Sequence, residues 1–187
     1  MPMNVLHRRL CRSAGWAERM HQQVLPWALE DVDLGGDVLE IGPGYGVTTR
    51  WLVERAGSLT AAEVDRRLAK DLGAEMGHRV EVRAADGAAL PFADASFDTV
   101  VCFTVLHHVP SPDHQDRLFA EAARVLRPGG TFAGSDSRRS LRFRLLHVGD
   151  TMVVVDPRTL PDRLHGAGFG DATTDAGERS FRFRARR

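Results

Sequence analysis

The chain has 187 residues and only two cysteines, Cys11 and Cys102. They lie far apart, and Cys102 falls within an apolar run. Neither a disulfide framework nor a zinc spacing can be built from such a pair, and no metal site is expected. No run of about 18 apolar residues is present, the length that a membrane span requires. The segment Met1 to Arg12 lacks the apolar centre of a secretory signal, so a cytoplasmic location is the default expectation. Charge of one sign is also missing. The 25 basic and 25 acidic residues balance, which argues against nucleic acid as the main partner. Nothing in the sequence marks an internal repeat, a low-complexity tract or a second domain. A single domain over residues 1–187 is expected, long enough to bury roughly 70% of its unfolded surface.

What is present is an alternation of elements. The chain reads as helical from about residue 5 to residue 30. Strands follow near 37–41, 59–64, 79–84, 98–103, 130–135, 169–174 and 180–186. Helices fall near 47–56, 66–76, 88–90 (short at best), 113–126 and 157–167. Such alternation implies an α/β protein with a doubly wound, mostly parallel sheet and helices on both faces. Only Ala176-Gly177-Glu178 separates the last two strands, and so short a link joins antiparallel neighbours. Seven strands with one reversed are expected. Arginines alternate with apolar residues from Ser180 to Arg186, the pattern of a strand with one buried face and one charge-guarded, solvated edge face.

The densest signal is Val38-Leu39-Glu40-Ile41-Gly42-Pro43-Gly44-Tyr45-Gly46. Val38, Leu39 and Ile41 end a buried parallel strand, the glycines make a tight turn, and a helix begins at Val47. A turn without side chains lets backbone and ligand approach closely. A dinucleotide fingerprint would space its glycines G-x-G-x-x-G. Here they stand at 42, 44 and 46, so the third is one residue early. Glu40 puts an acid where a buried strand usually keeps an apolar residue, which suits a ligand with a cationic or hydroxyl-rich part better than a phosphate. An acid about 20 positions further on, at the second strand's end, binds ribose hydroxyls in such folds. Glu63 and Asp65 both qualify, and strand periodicity does not choose between them.

With these residues the chain resembles the class I S-adenosylmethionine (SAM)-dependent methyltransferases over most of its length. Val38–Gly46 is similar to that family's first motif. Glu63-Val64-Asp65 is similar to its second, in the form also seen in ribosomal RNA adenine dimethylases. Ala85-Asp86-Gly87-Ala88 resembles the adenine-binding turn. Leu90-Pro91-Phe92 through Ser96-Phe97-Asp98 resembles the approach to the fourth strand, and Arg124 to Gly130 the turn before the fifth. The resemblance implies a Rossmann-like fold with SAM as cofactor. It also implies that Glu40, Gly42, Gly44 and Gly46 hold the methionine part, Glu63 with Val64 the ribose, and Asp86 with Gly87 the adenine. Backbone groups near Phe103 and Thr104 complete the amino-acid pocket.

The end of the fourth strand, Val100 to Pro110, should carry the chemistry. The [DNS]-P-P-[YF] turn of nucleic-acid amino methyltransferases is missing there, and Cys102 reads as core rather than as a nucleophile. A small-molecule acceptor, anionic or apolar, is therefore expected, methylated by in-line displacement from the sulfonium. That step needs alignment and exclusion of water. A base is required only when the acceptor must lose a proton. His108, and after it His107, is the candidate, since histidine titrates near pH 6.5. Two segments are expected to meet the acceptor. One is the N-terminal helical region 1–30, with its stripe Leu6, Leu10, Trp16, Met20, Val24, Leu25 and Trp27. The other is Ser135 to Pro157, where Asp136 and the arginines Arg138, Arg139, Arg142 and Arg144 could meet a carboxylate or phosphate. The pocket is expected to be open, or closed by a second subunit in a homodimer. The alternatives are a non-catalytic SAM-binding protein and a nicotinamide-dependent oxidoreductase.

Overall fold

The computed structural model describes residues 3–187, and the side chain of Arg142 lies outside that description. Seven strands form one sheet: β1 (Asp37–Ile41), β2 (Ser58–Glu63), β3 (Glu81–Ala84), β4 (Phe97–Phe103), β5 (Leu126–Ser137), β6 (Asp171–Ala176) and β7 (Ser180–Arg186). Their order is β3-β2-β1-β4-β5-β7-β6. The pairs from β3 through β5 are parallel, and β7 runs antiparallel to both of its neighbours. The fold is the expected Rossmann-like one. One expectation fails: β7 is not an edge strand but lies between β5 and β6. Its arginines are also less solvated than foreseen. Arg182 donates to the Trp27 carbonyl and to Glu30, and Arg184 to the Glu30 carbonyl.

Period-two alternation sorts the strands between two cores. Leu39, Ile41, Val100, Cys102 and Phe132 face one side, packed with Leu118, Phe119 and Ala122 of α6 (Pro112–Val125), Leu160 and Leu164 of α8 (Leu160–Gly166), and Phe181 and Phe183 of β7. Val38, Leu59, Ala61, Val101 and Phe103 face the other, against Leu52 of α4 (Val47–Leu52) and Leu72 and Met76 of α5 (Arg66–Met76). Met20, Val24 and Leu25 from the N-terminal region complete that second core. Each such side chain, once buried, contributes about 1.5–3 kcal/mol relative to exposure.

The helices have identifiable starts. Asp65 caps α5 by accepting from the N–H groups of Arg67 and Leu68. Ser111 caps α6, with Pro112 in its first turn. The N-terminal region is not one helix. It breaks into α1 (Val5–Cys11), α2 (Ala14–Arg19), a π-helical turn (Met20–Val24) and α3 (Leu25–Ala28). Its apolar stripe divides accordingly: Met20, Val24 and Leu25 are buried, whereas Leu6 stands exposed. The expected turn of helix at 88–90 is also not there. Asp86 instead bridges to Ala89. A further helix, α7 (Leu141–Leu146), occupies the segment after β5.

Candidate functional site

The parallel strands β1 to β5 all end on one side of the sheet, and a cavity of about 1000 Å³ opens there. That volume is at the upper end for small-molecule sites. Gly42, Gly44, Glu63, Val64, Asp86, Gly87, Phe103, Thr104, His107 and His108 all stand on its wall. Glu40 and Gly46 do not. Gly42 and Gly44 both have left-handed backbone (φ +72° and +55°), and a Cβ on Gly42 would run into Val105. Any other residue there would be strained and crowded.

The second motif resolves cleanly. The Glu63 carboxylate accepts from the Gly44 N–H (2.9 Å) and from the Asp65 N–H (2.9 Å), tying the strand end to the glycine turn. Asp65 also stands on the wall, but its Oδ1 is engaged in the cap of α5. Each carboxylate oxygen of Glu63 keeps acceptor capacity, so hydroxyls could add to it.

Glu40 is a correction. Alternation puts its side chain on the face of Val38, beneath α4, rather than in the cavity. It is 1% exposed and accepts from the Thr48 hydroxyl and from that of Thr49 (2.7 Å). Burial pushes its carboxyl up to about 7, against the pull of the two threonines and with a further push from the Glu63 charge. Glu40 thus fixes the first turn of α4 from behind the loop, and Thr48 is the residue that reaches the wall.

Asp86 accepts from the Ala88 N–H (2.9 Å) and contacts His114 Nε2 at 2.9 Å. Arg117 donates to His114 Nδ1 (2.8 Å). Because a guanidinium only donates, Nδ1 carries the lone pair and Nε2–H points at Asp86. Nothing in the sequence singled out His114, which lies 28 residues from Asp86. Thr104 sits at φ +55°, costly for a β-branched residue, and such strain gathers at functional sites. Its N–H donates to the Ser135 carbonyl (2.8 Å), which ties this turn to the end of β5.

Beyond β4 the wall is built of imidazoles. His107 Nδ1 lies 2.5 Å from Asp136 Oδ1, and its backbone N–H donates to Oδ2 of the same carboxylate. Burial pushes the Asp136 carboxyl up. The His107 charge and hydrogen bond, with the N–H groups of Ser137 and His107, overcome this and hold it below the usual range. His108 lies beside that pair, ring centroids 4.1 Å apart. Burial, helped by His107, His7 and His147, pushes His108 down to about 3, against the pull of Asp136. An imidazole so hard to protonate is a poor general base at neutral pH, which undercuts the expectation placed on His108. His7 and His147, which the sequence did not flag, complete the cluster from opposite ends of the chain.

Two segments cover the cavity. Asn4 caps α1 and donates to the carbonyls of Leu146 and Val148, while its N–H donates to Asp150 (2.6 Å). His7 Nδ1 also meets Asp150 (2.8 Å). On the other side Gln115 donates to the Leu106 and Val153 carbonyls, and Val153 donates to that of His107. Arg138 and Arg179 stand on the wall; Arg139 and Arg144 do not. Cys102 is 1% exposed in β4 and burial pushes its thiol well up, so it is core. Among the described residues no helix is long and apolar enough to cross a membrane.

Residues 39–134, just over half of the chain, match the family described as Methyltransferase domain. The chain belongs to that family. This methyltransferase domain is 37% identical over 125 residues to Methyltransferase GfsG of Streptomyces halstedii, covering 64% of the chain and 43% of the relative. It is 37% identical over 108 residues to the 27-O-demethylrifamycin SV methyltransferase of Amycolatopsis mediterranei, covering 54% and 39%. The chain thus spans about two fifths of the length of these relatives. Among solved structures it superposes on the N-methyltransferase NodS of Bradyrhizobium japonicum with a TM-score of 0.70 at 21% identity, covering 97% of this chain and 95% of that one. The methyltransferase domain therefore has the class I SAM-dependent methyltransferase fold.

Proposed function

We propose that this domain, taken as a single unit, transfers the methyl group of SAM to a small-molecule acceptor. The observation that carries the reading is the Glu63 carboxylate, fixed by the Gly44 and Asp65 N–H groups on the wall of a large cavity at the strand ends. In this reading Glu63, with Val64 beside it, binds the ribose hydroxyls. Asp86, steadied by His114, takes the adenine amino group against Gly87. Gly42, Gly44 and the carbonyls near Phe103 and Thr104 hold the methionine part, with Glu40 and Gly46 shaping the loop from behind. The acids along this wall suit a sulfonium and an ammonium.

SAM brings its own activated methyl group, so the chain's task is to align an acceptor lone pair with it and to keep water out. The α1 and α7 segments do the latter. Where the acceptor has a proton to lose, His107 is better placed than His108, because Asp136 holds its Nδ1–H and leaves Nε2 as the basic nitrogen. Arg138 and Arg179 on the wall favour an acceptor with an anionic group. The relative named for 27-O-demethylrifamycin SV supports a small acceptor. A cytoplasmic location and a second subunit closing the pocket belong to the same proposal.

Calorimetric titration with SAM, S-adenosylhomocysteine and NAD tests it. Micromolar binding of the first two and silence with NAD are expected. Binding of NAD alone would overturn the reading. SAM binding with no product over a broad acceptor panel would make this a SAM-binding protein without turnover.

A further inference from the structure

We propose that His7, His108 and His147 form a site for one divalent transition metal of the zinc class, on the acceptor side of the cavity. The three side chains come from α1, from the turn after β4 and from the end of α7. Each offers a ring nitrogen within 4.8 Å of the other two. All three are buried, at 4%, 8% and 4% exposure.

The outer contacts are those of ligands held ready. His7 Nδ1 meets the Asp150 carboxylate (2.8 Å), His147 Nδ1 the Phe143 carbonyl (2.8 Å) and His108 Nδ1 the Thr151 carbonyl (3.3 Å). A carbonyl only accepts, so Nδ1 of His147 and of His108 carries the proton and Nε2 the lone pair. Metal-binding histidines show this pattern almost always: one nitrogen on a carboxylate or carbonyl, the other on the metal. Among the described residues His147 Nε2 is buried with no hydrogen-bond partner. Leaving such a group unmet costs about 1–3 kcal/mol, and a metal at the centre would meet it.

Three imidazoles with an open fourth position suit zinc and its first-row neighbours. Zn–N bonds of about 2.0–2.1 Å require the three rings to draw together when the metal binds. The sequence expectation of no metal rested on cysteine spacing, and these ligands lie at positions 7, 108 and 147.

Resting on the methyltransferase reading, the metal would take an acceptor hydroxyl in its open position and lower its pKa. The released proton would go to His107, and the oxygen lone pair would form the new bond to the methyl carbon as the S–C bond breaks, leaving the thioether.

The test is titration of the metal-free full chain with Co²⁺ near neutral pH, followed by visible absorption, with SAM titrated separately into each protein. One equivalent of Co²⁺ with the strong bands of four-coordinate cobalt is expected in the wild type. The bands should be lost in His147→Ala and in His7→Ala, and kept in His165→Ala, a change at the exposed surface. Asp150→Asn should weaken Co²⁺ by about 10–100-fold. Wild-type SAM affinity in His147→Ala would show that the variant folds. No bands in the wild type, or bands that persist in His147→Ala, would overturn the metal site. Cobalt binding without SAM binding would instead overturn the methyltransferase reading and leave the metal site standing.

Discussion

Neighbouring acids in this chain have different tasks, and substitution should separate them. Glu63→Ala removes the acceptor shared by two loop N–H groups and, in the proposed reading, by the ribose. SAM affinity should fall by about 1.5–3 kcal/mol, the range for a lost hydrogen bond to a charged group. Asp65→Ala loses a helix cap instead and should lower stability by about 1 kcal/mol, with SAM affinity within a few-fold of wild type. Calorimetry on both variants checks this, and the reverse pattern would show that the ribose acid was chosen wrongly. Glu40 makes a pH-dependent prediction. Its folded-state pKa, about 7, lies above the ordinary 4.5 because of burial. The folded state therefore binds the extra proton, and this contribution is complete below pH 4.5 and lost as pH rises through 7. The loss amounts to roughly 3 kcal/mol at most, since each pKa unit is worth about 1.4 kcal/mol. Glu40→Gln should flatten the fall, and melting curves of both proteins from pH 4.5 to pH 8 would show whether it does. Glu63 and Asp86 were legible because one ends a strand and the other stands in the turn just after one, where local pattern fixes position. His7, His114 and His147 were not, because they reach the site only through folding and follow no local period.

At the level of elements, legibility followed the local signals. The α5 helix (66–76) and β7 (180–186) were read to the residue, because a capping acid bounds the first and strict alternation marks the second. The start of β5 was placed four residues late, since Leu126 already pairs with Phe97 before a register shift. The break of the N-terminal helix into a π turn was invisible too. There His21 Nε2 meets the Val47 carbonyl (2.7 Å), a tertiary contact at the start of α4. The stretch 85–96, expected to hold a scrap of helix, is gathered in its second half around one guanidinium instead. Arg124 of α6 donates to the carbonyls of Leu90 and Phe92, to Asp94 and to Glu121. Glu121 in turn accepts from the Leu90 N–H. Arg124→Ala strips several acceptors of their partner at once and should cost about 2–3 kcal/mol by the loss of charged hydrogen bonds. A lower melting temperature, with faster amide exchange confined to 85–96, is the expected result.

Over the whole molecule the sheet and its cover are built differently. The sheet core packs Phe132 against Phe119, Phe169 and Phe183, with centroids 4.9–6.2 Å apart. The cover is joined mainly by polar contacts and leaves Leu6, Leu141 and Leu145 exposed. Local opening should follow this division. Amides of 5–11 and 141–155 should exchange orders of magnitude faster than those of β1 and β4 in the free protein, and slow markedly when SAM is added. Equal protection of cover and sheet without ligand would contradict it.

The contact between Asn4 and Asp150 also sets a timetable. A seven-residue helix such as α1 is too short to persist alone in water, and its anchoring partners sit 142 to 146 residues further along. While the ribosome makes the intervening chain, α1 is without those partners. Its docking waits until residues 146–150 have been made. The strands β6 and β7, which complete the sheet, are made later still. Shutting the roof over the cavity and completing the sheet both wait for roughly the last fifth of this sequence.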